Sequence, residues 1–141
     1  MTGIWQAWRD RTRASRSARD ERLEKRKALE QYVRTHRDAV IDKLGMNVDR
    51  GEAVTLHLFA DRILMIRPSR PEEQPVAGAR ARVEQGEGRE LYITVEGPDF
   101  AWSFAPDIPP ILIEQSSAAA RAFAANVNLA GRRAAQGAAG P

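Results

Sequence analysis

The stretch Arg89–Ala105, RELYITVEGPDFAWSFA, decides the fold. Leu91, Ile93 and Val95 occupy every second position, and so do Phe100, Trp102 and Phe104. That period of two marks strands with one apolar face. Gly97–Pro98 stands between the two runs and suits a type II′ turn, glycine supplying positive φ and proline tolerated next. The stretch predicts an antiparallel hairpin. Its three rings are the heaviest apolar load in the chain and read as core packing.

Moving toward the N-terminus, Gln85–Gly88 is a glycine turn. Val76–Glu84 (VAGARARVE) alternates again, with Ala79, Ala81 and Val83 on one side and Arg80, Arg82 and Glu84 on the other. Pro68, Pro71 and Pro75, interspersed with Glu72 and Glu73, predict a loop with no strand in it. Arg62–Arg67 (RILMIR) carries four apolar residues in a row, the pattern of a strand covered on both faces. It is joined through Ala60–Asp61 to Ala53–Phe59, which alternates about Val54, Leu56 and Leu58.

Toward the C-terminus, Pro106, Pro109 and Pro110 bend the chain before a short apolar strand, Ile111–Ile113. Ser116 is a natural N-cap for a helix over Ser117–Ala134. Its face is rich in alanine (Ala120, Ala124, Ala130, Ala134), with Val127 and a single large plug, Phe123. Such a face lets a helix approach a sheet closely. Residues 135–141 read as a disordered low-complexity tail.

Residues 1–45 read as a basic helical arm and 46–52 as a linker. Ile4, Trp5 and Trp8 fall on one helical face in MTGIWQAWRDRTRA. Residues 15–27 are almost wholly charged, with Leu23 the only large apolar side chain. Asp20 and Glu24 with Lys27, and Glu21 with Lys25, stand at ion-pair spacing. From Ala28 a stripe of Leu29, Val33, His36, Val40 and Leu44 is amphipathic, flanked by Tyr32 and Ile41. Gly45 reads as the helix stop. The strands carry the core, so residues 48–135 are expected to fold alone.

The charge divides along the same line. Residues 1–50 hold thirteen Lys and Arg against eight Asp and Glu, and residues 51–141 hold nine against eleven. The basic character belongs to the arm, before a mildly acidic domain. The chain has no cysteine and two histidines, His36 and His57, which excludes thiolate chemistry and leaves no legible metal site. No apolar run nears the ~18–20 residues of a membrane span, so a cytoplasmic location is expected. No phosphate-loop, dinucleotide, zinc-protease or calcium-loop motif is present. Asp61, Asp99 and Asp107 sit at turns, and no base stands near Ser116 or Ser117. The expectation is no catalytic residue, no cofactor and no metal.

Strands first and one amphipathic helix last is the order of a pleckstrin-homology-like (PH-like) domain. The segments GARARVE (78–84), LYITVEGPDFAW (91–102) and AARAFAANVN (119–128) resemble bacterial PH-like domains, over about residues 50–133. The resemblance implies an α+β fold: a half-open β-barrel of six or seven antiparallel strands capped by a C-terminal helix, behind the long N-terminal helix. Seven strands are implied and six are counted. It also implies a binding module rather than an enzyme. Phosphoinositide-binding relatives place basic residues around a long first hairpin loop. The first loop counted here is only Ala60–Asp61, so that recognition is not carried over.

The function expected is a non-enzymatic adaptor, its domain tethered to a larger protein assembly through the helix. The residues assigned to that contact are Ile4, Trp5, Trp8, Arg9, Arg11, Arg13, Arg16, Leu29, Val33 and Val40. Nucleic acid or the ribosome held by the arginines, and an anionic membrane surface met by Trp5 and Trp8, stand as alternatives. A homo-oligomer also stays open.

Overall fold

The computed structural model describes residues 3–88 and 90–138; for residues 3–8, 10–15 and 138 it describes the backbone alone. The fold is α+β. A long helix α1 (Gly3–Thr35) leads, followed by β1 (Asp42–Val48), β2 (Glu52–Leu58), β3 (Arg62–Ile66) and β4 (Glu72–Pro75). Then come β5 (Arg80–Gln85), β6 (Leu91–Gly97), β7 (Phe100–Phe104) and the helix α2 (Ile113–Ala138). The strands form two antiparallel sheets, ordered β1-β2-β3-β4 and β5-β6-β7, which do not close into a barrel.

The hairpin reading of Arg89–Ala105 holds, with Ile93 opposite Phe104 and Val95 opposite Trp102. Its turn is shifted by one residue. Gly97 pairs with Phe100, so Pro98 and Asp99 make the loop, and Gly97 lacks the positive φ of a type II′ turn. Proline, with φ fixed near −65°, is well placed to start such a turn.

The two sheets enclose one core. Leu56, Ile63 and Met65 from the first meet Val95, Trp102 and Phe104 from the second, and Phe123 and Val127 of α2 pack against both. The indole N–H of Trp102 donates to the Glu72 carboxylate, which links β7 to β4. Asn128 ties α2 to the outer edge of β5: its Oδ1 accepts from Ala81 N (2.7 Å) and its Nδ2 donates to Ala81 O (3.0 Å). One side chain here replaces the neighbouring strand that an edge lacks. Gly131 brings the helix closer still. A Cβ there would lie 2.3 Å from Ala79 O, and Gly78, at φ +77°, donates its N–H to Gly131 O (3.1 Å).

Several expectations fail. The helix does not run to Leu44; it ends at Thr35, whose hydroxyl bonds back to the Gln31 and Tyr32 carbonyls. Residues 42–48, read as helix end and linker, are β1 instead, paired with β2 from Asp42↔Leu58 to Val48↔Glu52. Leu44 and Val48 are core residues. The segment 48–135 therefore lacks a strand and is not a complete domain. Among the described residues seven strands replace the six counted, and β4 lies where prolines predicted a loop. Pro75 survives there as the last residue of a short outer strand, where a missing N–H costs little. The first hairpin loop is Asp49–Gly51, not Ala60–Asp61, and Arg50 within it takes φ 62°.

Two further boundaries move. Residues 76–79 form a turn, so β5 starts only at Arg80. The Ile111–Ile113 strand is absent: Pro110 begins a 3-10 turn that leads directly into α2, and Ser116 lies within the helix rather than capping it. Proline in a first turn loses no hydrogen bond. The helix also continues to Ala138, across most of the expected disordered tail.

Candidate interaction interface

α1 is one unbroken helix of 33 residues, about 50 Å long at 1.5 Å per residue. Its last quarter is bound to the domain. Leu29, with Tyr32 and Val33 beside it, packs on Phe59, Leu64 and Ile66 of the outer face of the first sheet. This explains the four apolar residues in a row in RILMIR: Ile63 and Met65 face the core while Leu64 and Ile66 pack toward α1. Tyr32 meets Phe59 edge-on at 5.2 Å, and the Arg62 guanidinium lies 4.7 Å from the Tyr32 ring. Arg62 is held there by Asp61 (2.8 Å) and Glu73 (2.9 Å). The hydrogen bond from Arg62 keeps the Asp61 carboxyl below its usual range. His36, expected at the stripe's edge, is exposed and stacks on Tyr32 at 3.9 Å.

Leu29, Val33 and Val40 were assigned to a partner. Leu29 and Val33 are spent on the protein's own sheet, and Val40, which lies beyond the helix, joins the same cluster. Leu29 is buried and Val33 and Val40 are partly buried in that cluster. A stripe of two turns has to find cover, and here the outer face of the first sheet supplies it.

Farther up the helix, Arg19, Arg22 and Arg26 pass beside Glu52, Pro68 and Ser69. The Glu52 carboxylate is occupied: it accepts from Arg67, from Ser69 N (2.8 Å) and from Ser69 Oγ (3.0 Å). Burial pulls the Glu52 carboxyl up, but the bonds from Ser69 and Arg67 outweigh it and hold it below its usual range. Arg26 Nε is buried with no hydrogen-bond partner, and its contact with Glu30 is long at 3.8 Å. The ion pairs expected of Asp20, Glu21 and Glu24 do not close to within 4 Å; among the described residues Arg26–Glu30 is the only pair on the helix.

From Ala18 back to Gly3 the helix borders no domain residue in any described cleft. Arg9 and Arg16 are exposed there. Ile4, Trp5, Trp8, Arg11 and Arg13 lie on the same helix, and their side chains are outside the described residues. The structure thus separates the sequence's interaction residues into two sets. One packs against the sheet, with Leu29 buried and Val33 and Val40 partly so. The other lies on a helical length of roughly 24 Å.

Among the described residues no group of three His, Asp or Glu is gathered as for a metal ion, and none of the described helices is long and apolar enough to cross a membrane. His57 is half-buried on the outer face of the first sheet, its Nδ1 without a partner; burial first, and then the Lys43 charge opposite it, push its pKa down. The sequence reading missed a cleft of about 230 Å³ between β1 and the start of α2. Its signal was the alternation of Leu44, Met46 and Val48, masked by Gly45 and Asn47. Comparisons with protein-family models, with curated proteins and with solved structures found no match.

Proposed function

We propose that this protein is a non-enzymatic adaptor: a PH-like domain that presents a rigid helix to a larger protein assembly. The PH-like reading is supported by the strand order, four antiparallel strands then three, closed by a helix packed against β5 and β1. One observation carries the adaptor reading. A continuous helix is clamped to the sheet at Leu29–Val33, and its first sixteen described residues border no domain residue in any described cleft.

An isolated helix of that length is marginal in water, so this one gains from a partner that covers it. Ile4, Trp5 and Trp8 supply the apolar anchors that protein contacts favour. No Pro or Gly breaks the helix between Ile4 and Leu29, so these residues do not fold back onto their own sheet. Arg9 and Arg16 favour nucleic acid as a second reading, because both are exposed and form no ion pair among the described residues.

A two-variant comparison tests both. Replacing Trp5 and Trp8 with Ala is expected to abolish partner capture from the native host without lowering the melting temperature. If the second reading holds, that change matters little, while neutralising Arg9, Arg11, Arg13 and Arg16 removes binding and flattens its salt dependence. A melting point that falls with the Trp pair places those rings in the protein's own core and sinks the tether.

A further inference from the structure

The free edge of β1 is closed at both ends and open in the middle. The first-sheet hairpin pairs Phe59 N with Arg62 O, which turns Thr55 and His57 toward β3 and leaves Val54, Leu56 and Leu58 to bond β1. Their partners are Met46, Leu44 and Asp42, so Lys43, Gly45 and Asn47 direct their backbone groups to the open side. Lys43 N is taken by the Asp42 carboxylate (2.8 Å), and Asn47 O by Asp107 N (2.8 Å). Gly45 N–H and C=O have no partner among the described residues. The β5 edge, by contrast, is covered: Asn128 takes the corresponding groups of Ala81.

Beside Gly45 lies the cleft of about 230 Å³, floored by Leu91 and Ile93 and walled by Leu112 and Ala120. Ile111, next to it, is 90% exposed. The volume falls below the roughly 300–1,000 Å³ of small-molecule pockets, and it suits side chains rather than a cofactor. An unpaired strand edge beside an apolar cleft is the arrangement that binds a peptide as an added strand. The charge at the rim selects its composition. Asp107 lines the cleft and Glu90 its continuation past Pro106; among the described residues neither is ion-paired, and no Lys or Arg lines either part.

We infer that the edge of β1 binds an extended peptide segment of a partner protein, with alternate aliphatic side chains and basic flanks. The residue opposite Gly45 exchanges both backbone hydrogen bonds with it. Strand geometry sends that residue's side chain outward and its two neighbours' side chains to the Leu44 side, into the cleft. A second copy of β1 is disfavoured as the occupant. The edge is recessed between α2 and the 106–109 segment, which a strand within a sheet cannot enter as a single peptide can. The inference is independent of α1.

The probe is a fluorescein-labelled peptide, Arg-Leu-Ala-Leu-Arg, titrated with the full chain by fluorescence anisotropy. Binding is expected, weakened at least tenfold when glutamate replaces both arginines. Methylating the nitrogen of the central alanine should also weaken it at least tenfold, because that removes the donor to Gly45 O. Gly45→Pro on the protein removes the matching donor while sparing the bonds to β2, and proline is tolerated on an edge. It should abolish binding with the melting temperature nearly unchanged. If that variant fails to fold, the methylated probe still decides, since it leaves the protein untouched. No binding by the parent peptide, or equal binding by the methylated one, overturns the inference. A concentration-dependent dimer that Gly45→Pro dissociates gives the edge to a second copy, and also overturns it.

Discussion

Asn128 does with one side chain what a strand would do along the β5 edge, and its two bonds to Ala81 are the sharpest polar test of the fold. Asn128→Ala leaves a buried-edge donor and acceptor without partners, so a loss of about 1–3 kcal/mol is expected. Denaturant midpoints measure it, and faster amide exchange at Ala81 locates it. Phe123→Ala should cost more, about 3–5 kcal/mol, since this fully buried ring fills the space between the sheets. A loss below about 1 kcal/mol would show α2 to be peripheral. Acid acts through His57 and through two lowered carboxylates, Glu52 and Asp61. His57 has a lowered pKa, so the unfolded chain binds its proton first. Stability therefore falls as the pH drops below about 6.5, the free imidazole value. Glu52 is lowered too, so its contribution is present above about 4.3 and is lost as the pH falls through its folded value. Thermal melts of His57→Gln should be flatter than those of the parent between pH 7 and 5, with the fall below pH 4 retained.

At the scale of elements, the sequence announces those whose pattern is made by their own residues. β6 and β7 alternate for several residues about a turn, and the face of α2 is written in Ala120, Phe123, Ala124 and Val127. Elements made by their neighbours are hidden. β1 has only Leu44, Met46 and Val48 to show, while Val33, Val40 and Leu44 happen to continue a helical spacing; its pairing with β2 decides the matter. β4, the four residues EEQP, looks like a loop, and becomes a strand because Trp102 satisfies Glu72 and the outer position tolerates Pro75. The interaction residues divide in the same way. The arm was legible, but the use of Leu29 and Val33 was not, because their cover is a sheet distant in sequence. The cleft at Gly45 was invisible while β1 was. Gly131 gives a test at this scale. Gly131→Ala raises helix propensity yet places a methyl 2.3 Å from Ala79 O, a backbone atom that cannot turn aside. The packing effect should win, with a clear drop in melting temperature and weakened protection at Gly78; an unchanged or raised melting point would mean that α2 shifts freely on β5.

The whole molecule is organised by where α1 stops being part of it. Below Arg26 the helix covers Leu64 and Phe59, and the chain passes through Val40 into β1, so helix end, strand and core are one cooperative unit. Above Ala18 the helix borders no domain residue in any described cleft. A chain that starts at residue 21 keeps every core contact and should melt within a few degrees of the full chain, since surface changes are worth within about 0.5 kcal/mol. A chain that starts at residue 48 loses Leu44, the β1–β2 ladder and the Leu29 cluster together. Burial of each large aliphatic side chain contributes about 1.5–3 kcal/mol, and two such losses rival much of the ~5–15 kcal/mol that holds a domain of this size together. It should show no cooperative transition. The pair of truncations also separates stability from binding: the chain from residue 21 should be folded yet unable to capture the partner, because it lacks Ile4, Trp5 and Trp8. Melting curves and pull-downs on the two chains give the result. Should the chain from residue 21 bind as well as the full one, α1 is a structural strut and the search for the partner surface moves to the domain, with the edge of β1 the first place to look.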